Sequence, residues 1–221
     1  MDWIKIIIEA PGFIGGRAVR EHLGKTAGLP HALFHHNESG QSLQGPAPVR
    51  MFGNGYRVAL LGIGDEGRGL ILENMKTLID AFAGRPVRLI MGVFRIYPVR
   101  EAMLWDVRSC VLKLPVQYIP VLAAGDYRAT DRIVSQFIGR SLRRQTAWLC
   151  PEMAAVVGKL PVQAAVYRSI AVEKKNGTVL PAVDCLVRVP VRLVGPWQLG
   201  TLQARGYGRC KPAREPQYVQ F

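Results

Sequence analysis

The stretch RMFGNGYRVALLGIGDEGRGLILENMKTLIDAF, residues 50–82, decides the fold of the first half of the chain. Its first part, RMFGNGYRVALLGIG, has the composition of a strand that is interrupted by Gly53-Asn54-Gly55. The apolar residues after this part recur at the spacing of one helix face; they are Leu70, Ile71, Met75, Leu78, Ile79 and Phe82. The stretch therefore predicts an interrupted strand followed by a helix.

The flanking segments extend this pattern. The sequence predicts a strand at WIKIIIEAP (3–11), a short helix at GGRAVREHLGKTAG (15–28), a short strand at HALFHHN (31–37), and a strand at VRLIMGVFRIYP (87–98) after Pro86. The order β-α-β-β-α-β over residues 3–97 is that of a ferredoxin-like, or RRM-like, unit.

The second half predicts a degenerate copy of the same unit. It contains a predicted strand at VQYIPVLAAG (116–125), a long helix starting near Thr130, a hairpin around Asn176-Gly177, and a strand at CLVRVPVRLVG (185–195) with Arg188 and Arg192 on one face. We predict the α+β class, as tandem ferredoxin-like domains at residues 1–100 and 115–221, with the boundary between residues 98 and 115.

The segment GIGDEGRG, residues 62–69, matches the dinucleotide-binding pattern G-x-G-x-x-G. In such a site the acidic residue lies at the end of the next strand, whereas Asp80 falls in the last turn of the predicted helix. We therefore interpret the glycines as a strand-to-helix turn and predict no cofactor. A nucleotide-cofactor enzyme remains an alternative.

The charge of the chain points to a polyanionic partner. Lys and Arg number 29 against 16 Asp and Glu, and the formal net charge is +13. Counted along the sequence, 21 of the 29 are Arg, whose planar fork suits phosphate oxygens and stacks on bases. This skew favours nucleic acid, although a solvated basic surface is the alternative.

The cysteines predict neither a metal site nor a disulfide framework. Cys110, Cys150, Cys185 and Cys210 are widely separated, and no Cys/His cluster accompanies them. We expect reduced thiols in a cytoplasmic protein. No apolar run suggests a signal peptide or a membrane span.

The long helix of the second half carries a basic stripe. Its members recur at i, i+4, i+8, i+11 and i+12; they are Arg132, Gln136, Arg140, Arg143 and Arg144. Apolar residues occupy the other side, and the basic side lacks acidic partners one turn away. Such a stripe favours binding to the phosphates of a duplex or hairpin, with a solvated helix face as the alternative.

The four histidines of the chain are His22, His31, His35 and His36, all within 15 residues of one another. They lie beside Arg17 and Arg20 of the predicted first helix. Their proximity makes a general acid or base among them plausible, but the spacing selects no single residue.

The segment GPWQLGTLQARGYGRC, residues 195–210, follows the last predicted long strand. Its glycines, Gly195, Gly200, Gly206 and Gly208, resemble the glycine-rich loop of the RAMP superfamily of CRISPR-associated proteins. In particular the chain resembles the endoribonucleases that cut precursor CRISPR RNA, and it looks most like the variant from type IV systems. The tandem fold agrees with this resemblance.

The resemblance implies RNA cleavage without a metal, in which a 2′-hydroxyl attacks the adjacent phosphate and leaves a 2′,3′-cyclic phosphate and a 5′-hydroxyl. A family histidine often lies in or just after the first helix, which His22, His31, His35 and His36 all satisfy. Some members rely on arginines, for which Arg17, Arg20 and Arg209 are the candidates.

For RNA binding, the expected residues are the helix stripe, Arg188 and Arg192, and, in the loop, Gly200, Arg205, Gly206 and Gly208. The expected partners are the CRISPR repeat hairpin and other subunits of an effector complex. A non-catalytic RAMP subunit that binds the guide RNA would share the fold, charge and loop, so it remains the main alternative.

Overall fold

The computed structural model describes residues 1–83, 86–173 and 177–213. The chain forms two compact units, one of Met1–Phe94 with Gln203–Gly206 and one of Arg95–Leu202 with the chain from Tyr207 onward. Each unit contains a four-stranded antiparallel sheet together with helices. The predicted α+β class with tandem ferredoxin-like units is confirmed.

The first unit has the β-α-β-β-α-β order, but both middle strands come from residues 49–63, which the sequence predicted as a single interrupted strand. Its elements are β1 (Asp2–Glu9), α1 (Gly15–Leu23), β2 (Val49–Gly53), β3 (Arg57–Ile63), α2 (Gly64–Glu73), α3 (Met75–Asp80) and β4 (Pro86–Val93). The strand order across the sheet is β2-β3-β1-β4. Alternate residues of β1, namely Ile4, Ile6 and Ile8, are buried in one core with Val19 and Leu23 of α1, as expected for a sheet with one covered face.

The glycines of residues 62–69 serve close packing between β3 and α2. A Cβ atom on Gly62 would lie 2.2 Å from the Gly67 carbonyl oxygen, and Gly64 has a φ of 65°. Asp80 is the last residue of α3. The segment is therefore the strand-to-helix turn that we predicted.

Three local predictions in the first unit were wrong. Residues 31–34 form a 3-10 helix and not a strand, and His35 ends it in the left-handed region at φ 57°. The helix predicted over residues 70–82 is divided at Asn74, whose side-chain amide donates to the Leu70 carbonyl at 2.9 Å. The strand predicted over 87–98 ends at Val93, and a new strand begins at Arg95.

The second unit repeats the sheet topology without the second helix. Its elements are β5 (Arg95–Val111), α4 (Tyr118–Ala123), α5 (Tyr127–Leu149), α6 (Ala154–Val157), β6 (Gln163–Glu173), β7 (Val179–Val194) and β8 (Arg209–Pro212). The strand order β6-β7-β5-β8 matches that of the first unit. The glycine-rich segment lies between β7 and β8, where the first unit has helices α2 and α3.

The strand predicted at residues 116–125 is wrong, because this segment contains helix α4. Pro120 lies in the first turn of α4, where a missing N–H costs no helical hydrogen bond. The first strand of this unit is instead β5, which covers most of the predicted boundary between residues 98 and 115. Hairpin β6–β7 is present as predicted, while Asn176 of its turn lies outside the described residues.

Candidate functional site

The candidate site begins with Arg20 on α1. The Nη2 atom of Arg20 donates to the Phe34 carbonyl and lies 3.2 Å from Nε2 of His36. The guanidinium also lies over the Phe34 ring, 5.6 Å from its centroid. Because a guanidinium can only donate, the 3.2 Å contact requires an unprotonated Nε2 on His36. The turn after the 3-10 helix therefore fixes Arg20 beside His36.

The tip of the glycine-rich segment, Gln203–Gly206, belongs to the same unit and brings Arg205 to this cluster. The charge of Arg205 acts on both Arg20 and His36. Gly16 of α1 permits the approach, since a Cβ atom there would lie 2.3 Å from the Arg205 carbonyl oxygen. Gly206, at φ 81°, packs on β2 in the same way, with its Cβ position 2.6 Å from the Met51 oxygen.

The electrostatics of the cluster favour an anion. Burial, and then the charge of Arg205, lower the pKa of Arg20 to about 10. The pKa of His36 is lowered from its ordinary value by burial, then by Arg20, His31, His35 and Arg205. The Nη1 atom of Arg20 is buried and has no hydrogen-bond acceptor among the residues that the structure describes. Two neighbouring guanidinium groups with an unused donor fit a phosphate group.

The remaining histidines have different surroundings. The ring of His22 packs between Phe13 and Phe82, and its Nε2 lies 2.6 Å from the Ala81 carbonyl oxygen. His31 is exposed, whereas both ring nitrogens of His35 are buried and have no partner within the described part of the chain. The structure thus brings His36 to Arg20, gathers His31 and His35 near enough to act on it, and engages His22 in packing.

The other arginine candidates lie elsewhere. Arg17 forms an ion pair with Glu21 of the same helix, at 2.8 Å. Arg209 is exposed on β8 of the second unit, opposite Arg108 of β5. Arg20, the third arginine predicted for catalysis, belongs to the cluster described above. The sequence placed Arg205 among the RNA-binding residues, and its proximity to His36 could not be derived from spacing along the chain.

Helix α5 exposes the predicted basic stripe. All five predicted members are exposed, and Arg128, four residues before Arg132, extends the stripe by one turn. The opposite side contributes Val134, Ile138 and Leu142 to the core. At the start of the stripe, the charge of Arg128 acts on the carboxylate of Asp131, one turn along the helix. The stripe is thus an exposed line of positive charge.

Gly200 and Gly208 of the loop have packing roles in the second unit. The Gly200 N–H donates to the Ser141 hydroxyl at 2.7 Å, and the Gly200 carbonyl accepts from Arg144 at 3.3 Å. A Cβ atom on Gly208 would lie 1.6 Å from the Leu199 oxygen. The N–H groups of Gly206 and Gly208 also donate to protein carbonyls. These donors are occupied, so the loop's clearest phosphate-binding group is the side chain of Arg205.

Arg188 and Arg192 lie on β7, where Arg192 is exposed and Arg188 half-buried. No three His, Cys, Asp or Glu side chains are gathered for a metal ion in the described ranges. Within those ranges, no helix has the length and apolar character needed to cross a membrane.

A family model described as the type IV CRISPR-associated endonuclease Csf5 matches residues 13–215. Among solved structures, a protein titled "Csf5, CRISPR-Cas type IV Cas6 crRNA endonuclease" is similar over 97% of this chain and 100% of its own, with a TM-score of 0.71 and 18% identity. A crystal structure of Cas6b has a TM-score of 0.65 at 11% identity and covers 96% of this chain and 100% of its own.

Cas6 from Thermus thermophilus has a TM-score of 0.51 at 12% identity, over 96% of this chain and 98% of its own. At these identities the structures show the shared fold alone. A search of curated proteins finds no match.

Proposed function

This chain belongs to the family of type IV CRISPR-associated endonucleases called Csf5, and we propose on that premise that it is an endoribonuclease that cuts precursor CRISPR RNA beside the repeat hairpin. The observation that carries the proposal is the cluster of Arg20, His36 and Arg205. It supplies an unprotonated imidazole next to two cationic phosphate ligands, which is the minimum that cleavage by a 2′-hydroxyl requires.

In the proposed reaction, Arg20 and Arg205 bind the non-bridging oxygens of the scissile phosphate. Arg20 then exchanges its contact with His36 for the phosphate, which frees Nε2 of His36. That nitrogen accepts the proton of the 2′-hydroxyl, and the 2′-oxygen forms a bond to phosphorus. The bond from phosphorus to the 5′-oxygen breaks, leaving a 2′,3′-cyclic phosphate and, after protonation, a 5′-hydroxyl.

The leaving 5′-oxygen must receive a proton. His31 and His35 are the candidates, because their charges act on His36 and place them in its neighbourhood. The proposed role of Arg20 and Arg205 is to stabilise the charge of the phosphorane. The proposed chemistry uses no metal ion and no cofactor.

The α5 stripe is proposed to bind the hairpin stem. Its exposed arginines follow one line along the helix, as the phosphates of a duplex strand do. Arg188, Arg192 and Arg209 are proposed to add to RNA binding. Gly200, Gly206 and Gly208 would contribute by shaping the loop. The protein would act in the cytoplasm and keep its product for other subunits of an effector complex.

The test is cleavage of cognate repeat RNA in EDTA. Wild-type protein should produce a cyclic phosphate end, and an RNA with 2′-deoxyribose at the cut should bind without being cleaved. His36→Ala and Arg205→Ala should each lower the single-turnover rate at least 100-fold while leaving RNA affinity within about threefold. Arg17→Ala, on the same helix as Arg20 but paired with Glu21, is the matched control and should cleave normally.

Tight binding by wild type without any cut would reject the enzyme and favour the alternative, a non-catalytic RAMP subunit that binds guide RNA. Cleavage that survives His36→Ala but is lost in Arg17→Ala would reject the assignment of the cluster.

A further inference from the structure

One face of the second sheet is basic across all four strands. Residues directly opposite each other in an antiparallel sheet project from the same face. Leu104 of β5 lies opposite Arg188 of β7. Asp106 of β5 lies opposite Leu186 of β7 on one side and Lys211 of β8 on the other, and Arg108 of β5 lies opposite Arg209 of β8. Arg168 of β6 lies opposite Asp184 of β7. Asp184 is four residues before Arg188 on the same strand, so both project from the same face. The basic sheet face comprises Arg108, Arg168, Arg188, Arg192, Arg209 and Lys211.

The carboxylates of this face take up only part of its charge. Asp106 accepts from Nε of Arg108 at 2.6 Å, and the buried Asp184 lies 3.7 Å from Arg108 and 3.8 Å from Arg168. The Arg168 side chain nevertheless remains 65% exposed. Arg192 and Lys211 are also exposed. Exposed cations of this kind bind the phosphates of a nucleic acid and release its counterions.

Two tyrosines lie among these cations. Tyr167 donates to Asp106 at 2.8 Å, and Arg108 lies 5.4 Å from the centroid of its ring. Tyr97 is opposite Arg192, is 43% exposed, and accepts from Arg95 at 3.2 Å. Bases in a duplex are stacked on each other and hidden, whereas bases of a single strand can stack on an exposed ring. Rings among cations therefore fit a single strand better than a stem.

The basic sheet face and the α5 stripe are on different sides of this unit. Ser141 of α5 bonds to the Gly200 N–H, and Gly200 packs on Cys110. Cys110 lies opposite Val183, the neighbour of Asp184 on β7. Neighbouring residues of a strand project from opposite faces, so the side chains of Val183 and Cys110 lie on the face opposite to that of Asp184. α5 thus packs on the face opposite to the one that carries these cations.

We propose that the basic sheet face binds single-stranded RNA, and that it takes the unpaired flank of the RNA whose stem lies on α5. The proposal rests on the proposed function only in taking that RNA to be the CRISPR repeat transcript. Binding of a single strand to this face requires no cleavage.

The experiment compares two labelled probes. One is a repeat hairpin trimmed to blunt ends, so that it has no flank to cut, and the other is a 12-nucleotide oligouridine. Arg168→Ala/Lys211→Ala should weaken oligouridine binding at least fivefold and change hairpin binding less than twofold. The slope of log affinity against log salt for oligouridine should become shallower by about 1.4, since each lost contact with a single strand accounts for about 0.7. Tyr97→Leu should also weaken oligouridine binding.

Lys113→Ala/Lys159→Ala, which removes two exposed cations of the same unit away from this face, is the matched control and should leave both probes unchanged. The proposal is overturned if wild type does not bind oligouridine, if Arg168→Ala/Lys211→Ala binds it as wild type does, or if the control pair loses as much. Cleavage of intact repeat RNA in EDTA, measured separately, decides the proposed function whichever result is found here.

Discussion

At the scale of single residues, the surroundings of His36 determine how cleavage depends on pH. Burial and neighbouring cations lower the pKa of His36 from its ordinary value of 6.5. As a base it must be unprotonated, so the single-turnover rate should rise with pH and level off, with a midpoint below 6.5. Arg205→Gln removes a positive charge that disfavours imidazolium, so the midpoint should move up. Rates measured between pH 4.5 and 8.5 give both values.

Arg17→Gln is the control for this profile. It lies on the same helix as Arg20, but its charge is not among those that shift the pKa of His36. Its midpoint should equal that of wild type. A midpoint that stays fixed or moves down in Arg205→Gln would contradict the role of His36 as base.

Arg20 and Arg205 also lower the stability of the protein without RNA. The folded-state pKa of Arg20, about 10, lies below its ordinary value, so the destabilisation is present at every pH below about 10 and declines as pH rises above that. Arg205→Gln removes one cause of this shift. For two partly exposed charges the gain is about 0.5 kcal/mol, which should raise Tm by about 1–2 °C.

Thermal unfolding at pH 7 with and without inorganic phosphate measures this effect. Phosphate should raise the Tm of wild type more than that of Arg205→Gln, because the variant has lost one of its two ligands. A lower Tm for Arg205→Gln in phosphate-free buffer would show that Arg205 contributes more through packing than it costs through repulsion.

At the scale of elements, helix α1 positions the loop tip through Gly16. A Cβ atom there would lie 2.0 Å from the Met51 oxygen and 2.3 Å from the Arg205 oxygen, both backbone atoms that can give way only if an element moves. Gly16→Ala should therefore displace Arg205 and reduce the cleavage rate at least tenfold. It should also lower Tm. RNA binding by α5 should remain within about threefold.

Gly69→Ala is the matched helical control. A Cβ atom on Gly69 would meet only the end of the flexible Glu73 side chain, at 3.5 Å. Alanine at this position should stabilise the protein by about 0.5–1 kcal/mol through its higher helix propensity. Cleavage should be unaffected. Normal cleavage by Gly16→Ala would show that the loop tip does not depend on this contact.

Local periodicity predicted the elements that bury one face, such as β1, α1 and α5, because burial itself imposes the period. It failed at α4, where a six-residue apolar helix has the composition of a strand. It also failed at β5, whose bulges after Pro98 and Val107 interrupt the alternation of a 17-residue strand. These are tertiary effects that no local window contains.

The candidate site shows the same limit. The sequence indicated that a histidine near the first helix matters, but four were equivalent by spacing. Only folding distinguishes His36, which contacts Arg20, from His22, which packs between two phenylalanines. The proximity of Arg205 to the cluster depends on Gly16, whose role becomes visible only when backbone distances are known.

At the scale of the whole molecule, the net charge of +13 favours retention of the cleaved RNA. Cleavage changes one phosphodiester into a cyclic phosphate and removes none of the stem phosphates that α5 is proposed to bind. The product should therefore be held nearly as tightly as the substrate. With four arginine contacts, at Arg132, Arg140, Arg143 and Arg144, the slope of log affinity against log salt is about −3.6, and a fourfold rise in salt weakens binding about 150-fold.

With RNA in tenfold excess at 50 mM salt, we expect a burst of about one product per protein followed by a slow phase limited by product release. Raising salt to 200 mM should speed the slow phase at least tenfold, because release is the step that electrostatic attraction opposes. Quantifying product on denaturing gels gives both phases, and resumed cutting after a salt jump shows that the protein was occupied and not inactivated. Steady turnover from the first cycle at 50 mM would contradict retention, and a burst whose slow phase ignores salt would contradict its electrostatic origin.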